Sequence, residues 1–192
     1  MIIAFSTSSA QASVAAIHRE SGLLWQGREH APQGASGACL RLLEVMGQDA
    51  GLRIEDAELF AADIGPGSFT GVRVGVTLAK TFGYLYGKPV AGASSFDLIS
   101  ADGVVALPSK KNEFFVRRPG LTPYRTAELP FEPLVGFGPG IEPQTFPDAA
   151  GFFELLDRLV AVDAMSFVPE YLIEPSISIP KKPYASSLGA GG

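Results

Sequence analysis

The sequence predicts an α/β chain in which a larger first lobe is followed by a reduced second one. Two observations carry this. Three short apolar segments joined by turn signals open the chain, and two helix-like segments then alternate with apolar strands. Beyond residue 98 the composition shifts towards proline and glycine, with shorter apolar pieces. Taken in order, Ile2 to Ser6 reads as a short buried strand, and Ser8 to Gln11 as a turn. Ala12 to His18 and Leu23 to His30 read as two further strands around the hairpin signal Glu20-Ser21-Gly22. Ser36 to Gly51 reads as a helix with Leu40, Leu43, Val45 and Met46 at apolar positions, stopped by Gly51. Glu58 to Ile64 is a fourth strand, Thr70 to Tyr86 a second helix, Lys88 to Ala91 a fifth strand, and Ser95 to Ile99 a helical turn.

The second segment is expected to hold strands at Gly103 to Leu107 and Glu113 to Val116, then an irregular stretch over 119–147. Asp148 to Val162 is expected to be a helix, with Phe152, Leu155, Leu156 and Leu159 along one face. The expected division is a first lobe at 1–98, a second at 99–175 and a tail at 176–192.

Bulk properties narrow the function classes. The 192 residues carry a formal net charge of −5 at pH 7. An acidic balance argues against direct nucleic-acid binding as the main role, because such domains usually present a basic surface. A local exception is the basic run of Lys110, Lys111, Arg117, Arg118 and Arg125, opposed by Glu113. It reads first as a solvated hairpin edge and second as a phosphate or tRNA contact. No apolar run approaches the ~18 residues of a membrane span, and the first residues lack the pattern of a signal peptide. The single cysteine, Cys39, excludes an internal disulfide and fits a reducing compartment, so a cytoplasmic location is expected.

The most informative stretch runs from Asp63 to Lys80. A glycine-rich turn joins a strand to a helix on which Gly71, Gly75, Ala79 and Gly83 are spaced four apart, along one face. Each helix-interior glycine costs roughly 1 kcal/mol relative to alanine, so the stripe calls for close approach of another backbone. That neighbour could lie within the chain or on a partner. The turn itself could hold a phosphate at a helix start through Gly65, Gly67, Ser68 and Thr70. It could equally be a tight turn with Ser68 or Thr70 capping the helix. Its spacing matches neither a P-loop nor a dinucleotide loop, since no lysine follows Gly71 and position 70 is threonine.

Gly-Pro-Gly-Ser-Phe-Thr-Gly-Val-Arg-Val-Gly, from Gly65 to Gly75, resembles the signature of the TsaB proteins. These are non-catalytic paralogues of TsaD in bacterial synthesis of the tRNA modification N6-threonylcarbamoyladenosine (t6A). The resemblance covers Met1 to about Ser95 and thins afterwards, returning at the Pro-x-Tyr-Leu segment that starts at Pro169. It implies an actin-like ATPase, ribonuclease-H-like (ASKHA) two-lobe fold with a reduced second lobe.

The resemblance also implies a scaffold that binds a TsaD-like catalytic subunit, or a second copy of itself, through the second helix. Gly71, Val72, Arg73, Gly75, Val76, Ala79, Lys80 and Gly83 are the expected contact residues, with Arg73 and Lys80 at the rim facing partner carboxylates. A TsaE-like ATPase is expected on the same complex, ATP or ADP near the subunit junction, and tRNA contacted indirectly. Gly75→Leu is expected to break association and leave the monomer folded.

No catalytic or metal-binding residue is assigned. Active members of the superfamily resemble Asp-Thr-Ser on the first strand, where this chain has Ser6-Thr7-Ser8, and serine supplies no carboxylate to a magnesium ion. The His-x3-His pair of TsaD-like enzymes has no counterpart near Ala35 to Cys39. His18 and His30 stand apart on or beside strands, and Ser68 has no identifiable base. The competing reading is an active ATPase or kinase of the same superfamily using Gly65 to Thr70, or a peptidase of the M22 type. A stable homodimer unconnected with tRNA is the third.

Overall fold

A computed structural model describes residues 1–110 and 112–169. Its centre is a five-stranded sheet built from β1 (Ile2–Ser6), β2 (Gln11–His18), β3 (Gly22–His30), β4 (Leu59–Asp63) and β5 (Val90–Ala93). The spatial order is β3-β2-β1-β4-β5. The first three strands pair antiparallel, and β4 and β5 add in parallel to β1. Gly22, with φ of 85°, supplies the left-handed residue that starts β3 after the turn.

The parallel strands require crossovers, and two helices provide them on one face. Helix α1 (Ala35–Ala50) turns Ala38, Cys39, Leu42, Leu43 and Met46 onto the sheet. Helix α2 (Phe69–Tyr86) turns Gly71, Val72, Gly75, Val76, Ala79 and Gly83 inward. Both end on a left-handed glycine, Gly51 and Gly87, whose amide bonds back to the last turn. Ile3, Phe5, Val14, Ala16, Phe60 and Ala62 are the sheet's contribution to this core. Burying one such Phe or Ile is worth roughly 1.5–3 kcal/mol.

The opposite face, with Ile2, Ala4, Ala15, Ile17 and Ala61, is covered by α3 (Ser95–Ile99) and a 3₁₀ helix at Ala149–Leu155, through Leu98, Phe152, Leu155 and Leu156. The expected long helix over 148–162 is therefore shortened. The chain leaves it because Val162 forms a reciprocal pair of backbone bonds with Val90, at 2.8 and 2.9 Å. Satisfying the open edge of β5 in this way outweighs continued helical bonding.

The second sheet has the order β8-β7-β6-β9, from β6 (Val105–Pro108), β7 (Phe114–Arg117), β8 (Tyr124–Thr126) and β9 (Val135–Gly136). Phe96 and Ile99 of α3 pack on one of its faces with Val105, Leu107 and Phe115. Ile141, Leu129 and Leu134 close the other, over Ala106, Phe114 and Val116. The packing therefore divides the chain differently from the expected boundary at residue 98. The 3₁₀ helix, Ala164 and Phe167 return to the first sheet, leaving the second lobe as the sheet between them. The Pro-x-Tyr-Leu segment beyond Pro169 and the expected tail lie outside the described residues. Among the described residues no helix is long and apolar enough to cross a membrane.

Candidate functional site

The C-terminal ends of β1, β4 and β5 meet where the parallel strands hand over to α2 and α3. Asp63 ends β4 there, fully buried. Ser6 and Ser8 donate to its Oδ2 at 2.8 and 2.5 Å, while Ser95 and the Gly65 amide donate to Oδ1 at 2.6 and 2.9 Å. Burial pushes this carboxyl above its ordinary range, against the opposing pull of those four donors. Ser6, at the position where the superfamily resemblance expects an acid, is thus a donor to a carboxylate on the neighbouring strand.

The glycine turn is tied into the same cluster. The Ser68 amide donates to the Ser8 carbonyl at 2.7 Å, and Ser68 Oγ caps the helix by accepting from the Gly71 amide at 3.2 Å. A Cβ at Gly67 would lie 2.4 Å from the Ser8 carbonyl oxygen. Of the phosphate candidates, then, the amides of Gly65 and Ser68 already serve bonds within the chain, beside a buried carboxylate. Thr70 is exposed on the first turn of α2. The turn fits its capping role, and the geometry gives an anion poor terms.

The stripe on α2 is covered by the chain itself. A methyl at Gly71 would sit 1.9 Å from the Thr7 carbonyl oxygen, and one at Gly75 2.8 Å from Thr7 Oγ1. Gly83 faces Val90 and the Lys88 carbonyl in the same way. Thr7 Oγ1 donates to the Gly71 carbonyl at 2.7 Å, fixing helix on strand. Gly71, Val72, Gly75, Val76, Ala79 and Gly83 are all buried, so the expectation that they form the partner contact is corrected: the close backbone neighbour is β1 and β5. The expectation for Gly75→Leu changes with it, because the new side chain would strike β1.

What α2 presents outward is a different row. Arg73, Thr77, Thr81, Tyr84 and Leu85 are exposed, and the Arg73 guanidinium lies 5.4 Å from the centre of the Phe69 ring. Lys80, half-buried, donates from Nζ to the Met165 carbonyl at 3.3 Å. Between α1 and α2 runs an open groove of about 320 Å³ lined by Ser36, Thr70, Arg73, Val74, Thr77 and Leu78. Leu40, one turn along α1 from Ser36, is 52% exposed, and Phe69 is 46% exposed.

Other candidates disperse. Arg118 pairs with Glu132 at 2.6 Å, Arg125 with Glu113 at 3.4 Å, and Arg117 is buried against Asp97. The basic run is therefore compensated at each arginine, and Lys111 lies outside the described residues. His18 Nδ1 accepts from the amides of Glu20 and Ser21 in the β2–β3 turn, and His30 ends β3. Cys39 is buried in α1, which pushes its thiol up to about 12. Among the described residues no group of three or more His, Cys, Asp or Glu could hold a metal ion. The Asp63 cluster was the feature missed from sequence. Its signal is serine at the ends of two strands, Ser6-Thr7-Ser8 after β1 and Ser94-Ser95 after β5, with Asp63 ending the strand between them, but only the sheet order brings these together.

The family model described as TsaD, tRNA N6-adenosine threonylcarbamoyltransferase, matches residues 29–117. A Bacillus subtilis protein named tRNA threonylcarbamoyladenosine biosynthesis protein TsaB is 29% identical over 102 residues, covering 53% of this chain and 44% of that one. An uncharacterised Mycobacterium leprae protein is 32% identical over 107 residues, covering 54% of this chain and 28% of its own length. The matched stretch thus spans less than half of these curated relatives. Among solved structures, a Pseudomonas aeruginosa protein with similarity to peptidase YeaZ superposes with a TM-score of 0.75 at 18% identity, over 90% of this chain and 99% of that one. YeaZ from Pseudomonas aeruginosa gives 0.72 at 20% identity, over 89% and 99%. These two share the fold, the ribonuclease-H-like, ASKHA-type arrangement of the two sheets. Over roughly its first 117 residues this chain is thus similar in sequence to the TsaD family model and to the Bacillus TsaB protein, and it shares its fold with the two Pseudomonas structures.

Proposed function

We propose that the chain is an accessory subunit in t6A synthesis on tRNA, acting by binding a TsaD-like enzyme rather than by supplying reactive groups. The observation that carries the reading is the α1–α2 face. It combines an open groove walled by Val74, Leu78 and Arg73 with the exposed Phe69 ring under the Arg73 guanidinium, and Leu40 is exposed one turn along α1 from Ser36 of the groove. Exposed anchors of this kind beside a charged rim suit a protein partner. The Asp63 cluster supports the non-catalytic half, since both carboxylate oxygens are engaged by the chain's own donors.

The contact row in this reading is Leu40, Phe69, Arg73, Val74, Thr77 and Leu78, with Lys80 beyond. The buried glycines act by setting how close α2 lies to the sheet. Self-association when alone uses the same face. A TsaE-like ATPase joins the assembly, and nucleotide binds at the junction of subunits. The test is reconstitution with a TsaD-like enzyme, the remaining pathway components and tRNA. Threonylcarbamoyl transfer should depend on this chain and fall sharply with Thr77→Arg. Equal transfer without the chain would refute the accessory role.

A further inference from the structure

The main chain passes from the first sheet to the second over 100–104 and returns over 145–148, and side chains clamp both crossings. On the outward crossing, Arg117 of β7 reaches back to the end of α3. Its Nη1 donates to the Ala101 carbonyl at 3.1 Å, its Nη2 donates to the Ser100 carbonyl, and Nη2 lies 3.4 Å from Asp97 Oδ1. The residue is 8% exposed. A planar guanidinium with several fixed donors can hold two consecutive carbonyls and a carboxylate at once, which a lysine cannot. The positive charge also sits where the carbonyl dipoles of α3 end.

On the return crossing, Ser6 Oγ shares its proton between Asp63 and the Pro147 carbonyl, at 2.8 and 3.2 Å. Ser13 Oγ accepts from the Ala149 amide at 2.9 Å. Asp148 between them accepts from Gln11, Arg28 and the Ala150 amide. These bonds run from β1, β2 and β3 and anchor the returning chain to the first sheet, while the Thr145 amide donates to the Gly136 carbonyl of β9 at 2.6 Å, so the return crossing is held at both ends.

Two lobes joined by two short crossings have the geometry of a hinge, and hinge motion needs those residues to change their backbone angles. We infer that Arg117 and the Ser6–Ser13 pair lock this hinge, so that the two sheets move as one rigid body. Arg117 is the positioning residue of the outward crossing. The lock does not depend on which partner the α1–α2 face binds.

Pulsed spin-label distance measurements on the full chain test it, with labels at Gln48→Cys on α1 and Glu128→Cys beside β8, and buried Cys39 left in place. The otherwise unaltered chain should give one narrow distance distribution. Arg117→Met should broaden it, and Arg117→Lys should broaden it too, keeping the charge but losing the fork. Amide hydrogen exchange in α1 and α2 should stay slow in both variants. A broad distribution with Arg117 intact would overturn the lock outright, a measurement that needs no Arg117 variant to fold. So would an unchanged distribution in Arg117→Met or Arg117→Lys. Loss of protection throughout α1 and α2 would also overturn it, because Arg117 would then support the whole fold rather than one crossing.

Discussion

At the scale of single residues, opposing effects can be ranked by size. Gly71→Ala should gain about 1 kcal/mol of helix propensity. The new methyl, 1.9 Å from the Thr7 carbonyl oxygen, forces backbone apart, and overpacking of this kind costs ~1–3 kcal/mol or more. The clash should win, so thermal unfolding of Gly71→Ala should begin several degrees lower; an unchanged or raised midpoint would contradict the packing of α2 on β1. Asp63 makes a prediction with a sign. Its folded pKa lies above the unfolded value, so its stabilising contribution is full below the unfolded pKa and is lost as pH rises through the folded one. The stability of the parent chain relative to Asp63→Asn should therefore fall as pH rises out of the acid range. A gap that widens with pH would mean that the four donors, not burial, dominate. Cys39, with its thiol near 12, should react with a thiol reagent at pH 8 only after denaturation.

At the scale of elements, α2 makes two surfaces from one sequence, and the distinction between them decides its role. Ala substitutions on the buried row should lower stability. A charge reversal on the exposed row, Arg73→Glu, should weaken partner binding while leaving the unfolding free energy within about 0.5 kcal/mol of the parent's, as exposed substitutions usually do. Equal loss of stability in both sets would erase the distinction. Most elements could be read from the sequence because their signals are local. Gly51 and the apolar spacing of 36–51 mark α1, and Ser68 and Gly87 bracket α2. The glycine stripe was equally legible as a close-contact face, but spacing alone does not say which backbone makes the contact. The family resemblance pointed to a partner, and the Thr7 distances point to β1. The 148–162 segment has helical spacing, yet β5 draws Val162 into a strand-edge bridge, a tertiary effect that local periodicity does not carry.

At the scale of the molecule, the first sheet is the body and everything else is referred to it. Its two faces are covered by α1 and α2 on one side, and by α3 and the 3₁₀ helix on the other. The second sheet is an excursion between two clamped crossings. The serine and aspartate side chains at the strand ends bond to one another and to the returning chain, and the α1–α2 face is open to the outside. The most direct test of that account is size-exclusion chromatography with light scattering, on this chain mixed with a TsaD-like protein from the same cell. The account predicts a one-to-one complex that Thr77→Arg abolishes without unfolding the chain. No complex with the parent chain, with or without nucleotide, or a complex indifferent to Thr77→Arg, would contradict it.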